Sequence, residues 1–194
     1  GLAEMREAIA EKLKRDNSLE YTPEQIVAST GAKQSIANVC MSLLNPGDEV
    51  LLPAPYWVSY FEIIKLAEGT PVEIPSSIEA DFKVSPEQLE AAITPNTKLL
   101  LFSTPCIPSG TVYSKAELEA IAKMLEKYPD IYVICDEIYE LINFGEPHFS
   151  MATITTMKER VVTVNGVSKG FAMTGWRVGY IAAPKWIAAA CNKI

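Results

Sequence analysis

In the stretch "SKGFAMTGWRVGY", residues 168–180, Lys169 and Arg177 stand eight residues apart with mostly small residues between them. A lysine desolvated beside a second cation has a lowered pKa, and its free amine can form a Schiff base with a carbonyl compound. Arginine's planar fork suits a phosphate. One cation is thus suited to covalent chemistry and the other to holding an anion. Asp136 ends the apolar run "IYVICD", where an ionised carboxylate is costly without a cationic partner. It reads either as the counter-charge of a protonated ring nitrogen or as a turn cap. Gly31, Ala32 and Lys33 open a helical pattern directly after a strand-like run. Such a helix start offers backbone N–H groups to a phosphate, although the same turn also serves as a plain connector. Trp57, after "PAPY", is either a platform for a flat ring or a core aromatic.

Residues so far apart in the chain need a scaffold that brings them to one place. Apolar, β-rich runs predict strands at 26–29, 49–53, 70–75, 98–103, 131–136, 160–165 and 178–183. Helical patterns fall at 33–44, 57–67, 85–93 and 114–128, and the first sixteen residues are amphipathic. "SPEQLE" and "SKAELE" each place a serine three residues before Gln or Glu, the pattern of a capping box. Near-continuous apolar strands alternating with helices predict an α/β fold, a three-layer αβα sandwich on a mostly parallel sheet of about seven strands. Ligands gather beyond the carboxyl ends of such strands. The polar segments that follow five separate strands, "TGAKQS", "APYWVSY", "TPCIPSG", "DEIYE" and "NGVSK", therefore hold the candidate site.

Composition narrows the function further. With 194 residues, 48% of them hydrophobic, the chain can bury a substantial core. A formal charge of −7 and the lack of a Lys/Arg block argue against a nucleic-acid partner. No apolar run reaches membrane-spanning length, and the opening residues read as a helix rather than a signal peptide. The four cysteines form no C-x-x-C pair and His148 is the one histidine, so no metal site is expected. Cys40 and Cys135 sit in apolar runs and read as reduced core residues of a cytoplasmic chain. His148, in "GEPHFS", reads as a surface-loop residue.

The ordered motifs "STGAKQ", "NPGDEV", "PAPYWVSY", "DEIYE" and "SKGFAMTGWRVGY" resemble the pyridoxal-phosphate-dependent class I aminotransferases, in the aspartate aminotransferase branch of fold type I. The resemblance covers essentially the whole chain. It implies pyridoxal 5'-phosphate as cofactor, an amino acid and a 2-keto acid as substrates, and a homodimer. It implies catalytic roles for Lys169, as the lysine that carries the cofactor by a Schiff base and moves the proton, for Asp136 at the pyridine nitrogen, and for Tyr139 at the phenolic oxygen. Trp57 would stack on the ring. Gly31, Ala32, Lys33, Ser168 and Arg177 would surround the phosphate.

Two departures qualify the resemblance. In "TPCIPSG" the family's N-P-[ST]-G has Ile107 in place of its asparagine, and isoleucine cannot donate a hydrogen bond to the cofactor's phenolic oxygen. The family's sequences are also longer, so residues 1–194 are expected to be the large cofactor-binding domain, without the N-terminal segment and the C-terminal small domain. Turnover by this domain alone is then expected to be weak or absent. Two other readings are a different fold-type I reaction such as elimination, since these motifs report the cofactor and not the bond broken, and a non-catalytic or engineered scaffold.

Overall fold

The three central strands are apolar on both faces, and that requirement sets the architecture. In the computed structural model, which describes residues 1–145 and 147–194, β4 (Thr97–Ser103), β5 (Tyr132–Asp136) and β6 (Val161–Gly166) are buried along almost their whole length. Successive side chains of a strand point to opposite faces. Leu100, Phe102, Val133 and Cys135 accordingly enter one core, and Leu99, Leu101, Ile134 and Val164 enter the other. β1 (Ile26–Thr30), β2 (Glu49–Pro53), β3 (Thr70–Ile74) and β7 (Val178–Ala182) complete a seven-stranded sheet in the order β1-β7-β6-β5-β4-β2-β3.

Helices cover both faces. α1 (Ala3–Asn17), α4 (Pro86–Ala92) and α5 (Lys115–Leu125) contribute Leu13, Leu89 and Leu118 to the first core. α2 (Ala32–Leu43), α3 (Ser59–Leu66) and α6 (Lys185–Cys191) contribute Ile36, Ile64 and Ile187 to the second. Burying one such side chain stabilises the fold by about 1.5–3 kcal/mol. The predicted three-layer αβα sandwich is therefore the observed fold. Both predicted capping boxes form: Ser85 and Ser114 accept from the N–H of Gln88 and Glu117 at 3.3 Å, and those side chains accept from the serine N–H in return.

Three boundaries differ from the sequence reading. α3 begins at Ser59, so Trp57 precedes the helix. α5 stops at Leu125, short of residue 128, where the Arg160 guanidinium donates to the carbonyls of Leu125, Tyr128 and Ile131 and holds the chain in a turn. α6 was not predicted; its short "KWIAAAC" run packs Ile187, Ala188 and Cys191 beneath α2.

Strand direction positions the site. β2 to β6 are mutually parallel, whereas β7 runs antiparallel to both β6 and β1. The carboxyl ends of β1, β2, β4, β5 and β6 thus share one edge with the amino end of β7. A residue just before β7 meets residues just after the other strands.

Candidate cofactor site

At that edge lies a cavity of about 270 Å³ whose lining includes Ala32, Lys33, Trp57, Ile107, Asp136, Tyr139, Ser168, Lys169 and Arg177. This volume is near the small end of ligand sites. A larger hollow of about 890 Å³ lies over 109–116, 142–145 and 147–149 with Asp81 and Lys83, and its lining contains neither Asp136 nor Lys169.

Asp136 is the last residue of β5 and is 4% exposed. Its Oδ2 accepts from the Tyr60 hydroxyl at 2.7 Å, and its Oδ1 accepts from the Ile138 N–H at 3.1 Å. Burial pushes its pKa up to about 6, against the pull of those two donors and of Lys169. A carboxylate has about four acceptor sites, so both oxygens retain capacity for a cationic N–H in the cavity.

Lys169 and Arg177 reach the cavity through the connection between β6 and β7. Gly166 pairs with Gly179 at the open end of these strands, and Val167 N–H donates to Val178 O at 3.1 Å. The intervening loop folds on itself, with Ala172 N–H bonding Lys169 O at 2.9 Å and Met173 N–H bonding Val167 O at 3.3 Å. Lys169 Nζ lies 5.6 Å from the centre of the half-buried Tyr139 ring. Arg177 Nη1 donates to Thr174 O at 3.1 Å. The small residues between the two cations allow the tight return, including Ala172 at φ 54°.

Two glycines bring α2 to this end. Gly31 stands at φ 86°, a left-handed conformation, and a Cβ there would fall against the Arg177 guanidinium. Gly179 lies directly beneath Gly31 and Ala32, whose backbone atoms occupy the place a Cβ would take. The first turn of α2, whose N–H groups lack intrahelical acceptors, is therefore held next to Arg177. Ser168 is buried at the same rim. Lys33, expected with these groups, places its Nζ over the Trp57 indole, 4.8 Å from the ring centre.

Trp57 meets the Tyr60 ring edge-on at 5.5 Å and 86°. Ile107 lies in the lining, 37% exposed, and presents an apolar wall where the family pattern has an amide. The structure thus gathers every predicted site residue. Sequence reasoning missed Tyr60, Ser103 and Gly179; Tyr60 had a signal, since it follows Trp57 by three residues at the start of a helix.

His148 is a correction. Its side chain is 8% exposed, and its Nε2 lies 3.0 Å from Oε2 of Glu137, whose side chain is fully buried and whose Oε1 accepts from Ser150 Oγ at 2.6 Å. A buried carboxylate needs such donors, and that need draws the loop inward. Glu140 beside them is engaged by Lys12 and Asn17 of α1.

Together the fold and the cavity define an α/β domain with a cavity of small-ligand size at the carboxyl ends of its parallel strands, where such folds bind ligands. The chain matches the aminotransferase class I and II family over residues 1–194 and belongs to it. It is 52% identical over its whole length to a bifunctional aspartate aminotransferase and glutamate/aspartate-prephenate aminotransferase of Petunia hybrida, covering 41% of that protein. It is 48% identical to an aspartate/prephenate aminotransferase of Nitrosomonas europaea, covering 49% of it. The solved aspartate aminotransferase of Rhizobium meliloti superposes on the whole chain with a TM-score of 0.97 at 42% identity, over 49% of its own length. An aromatic aminotransferase from Pyrococcus horikoshii superposes with a TM-score of 0.96 at 44% identity, over 52% of its length. The chain thus spans about half the length of these relatives, and its family depends on pyridoxal phosphate. No helix among the described residues is long and apolar enough to cross a membrane.

Proposed function

We propose that residues 1–194 are the pyridoxal 5'-phosphate-binding domain of an aminotransferase that moves an amino group between an aspartate-like amino acid and a 2-keto acid. The observation that carries this reading is the polarity of the cavity. A buried carboxylate with spare acceptor capacity stands in a lining whose rim holds an amine, a guanidinium and the start of a helix. That donor set fits a phosphorylated pyridine: Asp136 for the ring nitrogen, and Arg177, Ser168 and the amides of Gly31 and Ala32 for the phosphate.

The cofactor, when bound, supplies an electron sink for the pair left at the amino acid's α-carbon. Asp136 holds a proton at the ring nitrogen. Lys169 would hold the cofactor covalently and would move a proton at the α-carbon. Tyr139 orients the cofactor's phenolic oxygen and Trp57 covers the ring face, while Lys33 adds positive charge at the mouth. Ile107 supplies bulk but no donor, so the phenolic oxygen is held less firmly than an asparagine would hold it. Exposed Val58, Phe171 and Trp176 support a homodimer. The four free cysteines support a reducing compartment such as the cytoplasm.

The test is borohydride reduction of the chain mixed with pyridoxal phosphate, followed by peptide mass analysis. The expected result is one reduced adduct on Lys169, lost in Lys169→Ala. Absence of an adduct at saturating cofactor would instead support the scaffold reading. Amino-group transfer by the full-length enzyme, against release of an elimination product, tests the reaction class.

A further inference from the structure

Ser103 is the last residue of β4 and sits directly across from Asp136 in the parallel register of β4 and β5. Paired residues of neighbouring strands point to the same face. Ser103 is 4% exposed and lines the cavity, and its hydroxyl makes no hydrogen bond of ordinary length and angle among the described residues. A buried hydroxyl left unpaired is costly. Beside it is Tyr60, 1% exposed, which commits its proton to Asp136 Oδ2 at 2.7 Å and so has acceptor lone pairs to offer. Ser103 is close enough to the Tyr60 oxygen to favour its charged form. Tyr60 cannot swing away, because its ring is packed edge-on against Trp57 and its N–H donates to Trp57 O at 2.9 Å.

We propose that Ser103 and Tyr60 are positioning residues, the serine hydroxyl donating to the Tyr60 oxygen and Tyr60 to Asp136, so that the carboxylate is held in one orientation toward the cavity. The inference deepens the cofactor reading above and rests on it for its purpose, but not for its geometry. An O–H to carboxylate bond of this length is charge-assisted, and a second donor on the tyrosine oxygen strengthens it by polarisation. The chain works against burial, which favours the neutral acid, and against Glu137, the next residue. Lys169 acts in the same direction as the chain, Lys33 and Arg177 also line the cavity, and the charged form of Cys106 would oppose ionisation of Tyr60.

Tyr60→Phe, Ser103→Ala and Ser103→Thr test it in the intact chain. The first readout needs no cofactor: the Asp136 carboxyl is titrated by carbon NMR, with Asp136→Asn identifying its signal. Loss of a charge-assisted bond raises the midpoint by about 1 pH unit in Tyr60→Phe, by a smaller amount in Ser103→Ala, and not in Ser103→Thr, which retains the hydroxyl. The second readout is pyridoxal phosphate affinity by absorbance, expected to weaken roughly tenfold in Tyr60→Phe. Unchanged midpoints in both Tyr60→Phe and Ser103→Ala overturn the chain of bonds, whether or not cofactor binds. A rise in Tyr60→Phe alone overturns the part assigned to Ser103. If the parent chain binds no cofactor while the midpoints shift as expected, the cofactor reading fails and the hydrogen-bonded chain stands.

Discussion

Replacing Asp136 with asparagine asks whether the cavity destabilises the domain when no ligand fills it. Asp136 titrates at about 6 in the folded chain because it is buried, against about 3.9 for an ordinary aspartate. The folded state therefore holds this proton about 2 pH units more tightly than the unfolded state, which is about 3 kcal/mol. Between those two values the folded chain carries more protons than the unfolded one, so stability falls as pH rises. Above pH 6 the loss is complete. Asparagine has no charge to desolvate and removes this dependence. It returns some of the gain, because one amide oxygen replaces two carboxylate oxygens that accept from Tyr60 and Ile138, at a cost of about 1 kcal/mol. Asp136→Asn without ligand should then exceed the parent by about 2 kcal/mol at pH 8, or about 4–8 °C in Tm, and lose the advantage at pH 4. Urea unfolding followed by circular dichroism across this range gives the difference between the two proteins, in which the other titrating groups largely cancel. A difference that does not change with pH, or that favours aspartate at pH 8, would refute the claim that burial dominates this carboxylate.

The other predictions concern its surroundings. Gly179→Ala puts a Cβ where the backbone of Gly31 and Ala32 lies; forcing α2 outward should cost about 1–3 kcal/mol and weaken pyridoxal phosphate binding measured by absorbance, whereas unaltered affinity would mean that the helix start is no part of the anion site. Burial lowers the pKa of His148, but its bond to Glu137 and that residue's charge outweigh burial and hold it above the ordinary value. The resulting stability is fully present below pH 6.5 and fades as pH rises through the folded value, so His148→Gln, which can still donate to Glu137, should trail the parent at pH 6 and draw level in alkaline solution; urea midpoints at several pH values check this.

The fold was largely legible because its signals are local. The near-continuous apolar runs "KLLLFS" and "RVVTVN", buried on both faces, and the capping boxes at Ser85 and Ser114 are settled within a few residues, and all seven strands appeared where their patterns placed them. α6 was not legible, since a seven-residue run beginning after a proline carries too little periodicity. Within the site, Asp136, Lys169 and Arg177 announced themselves by being charged next to apolar or small residues. Ser103 did not, because an uncharged polar residue in an apolar context is ordinary until the sheet register places it beside a carboxylate, and Tyr60 offered only its spacing of three residues from Trp57. His148 was misread for a similar reason: nothing in "GEPHFS" shows that a glutamate eleven residues earlier is fully buried and short of donors.

Arg177 shows how topology supplies what spacing cannot. It precedes its strand, while Asp136, Lys169 and the Gly31 turn follow theirs, and in a wholly parallel sheet it would lie at the opposite edge, the length of a strand away. The reversal of β7 cancels that separation. The reversal is made by a β6 to β7 connection that folds back through two left-handed residues, Ala172 and Arg177, and it needs Gly179 so that α2 can lie close against the reversed strand. The spacing between Lys169 and Arg177 is thus a consequence of strand direction. Lengthening the connection while keeping both cations would leave the sheet intact and separate the amine from the guanidinium, which is why the pair is informative only when the strands on either side of it are considered too.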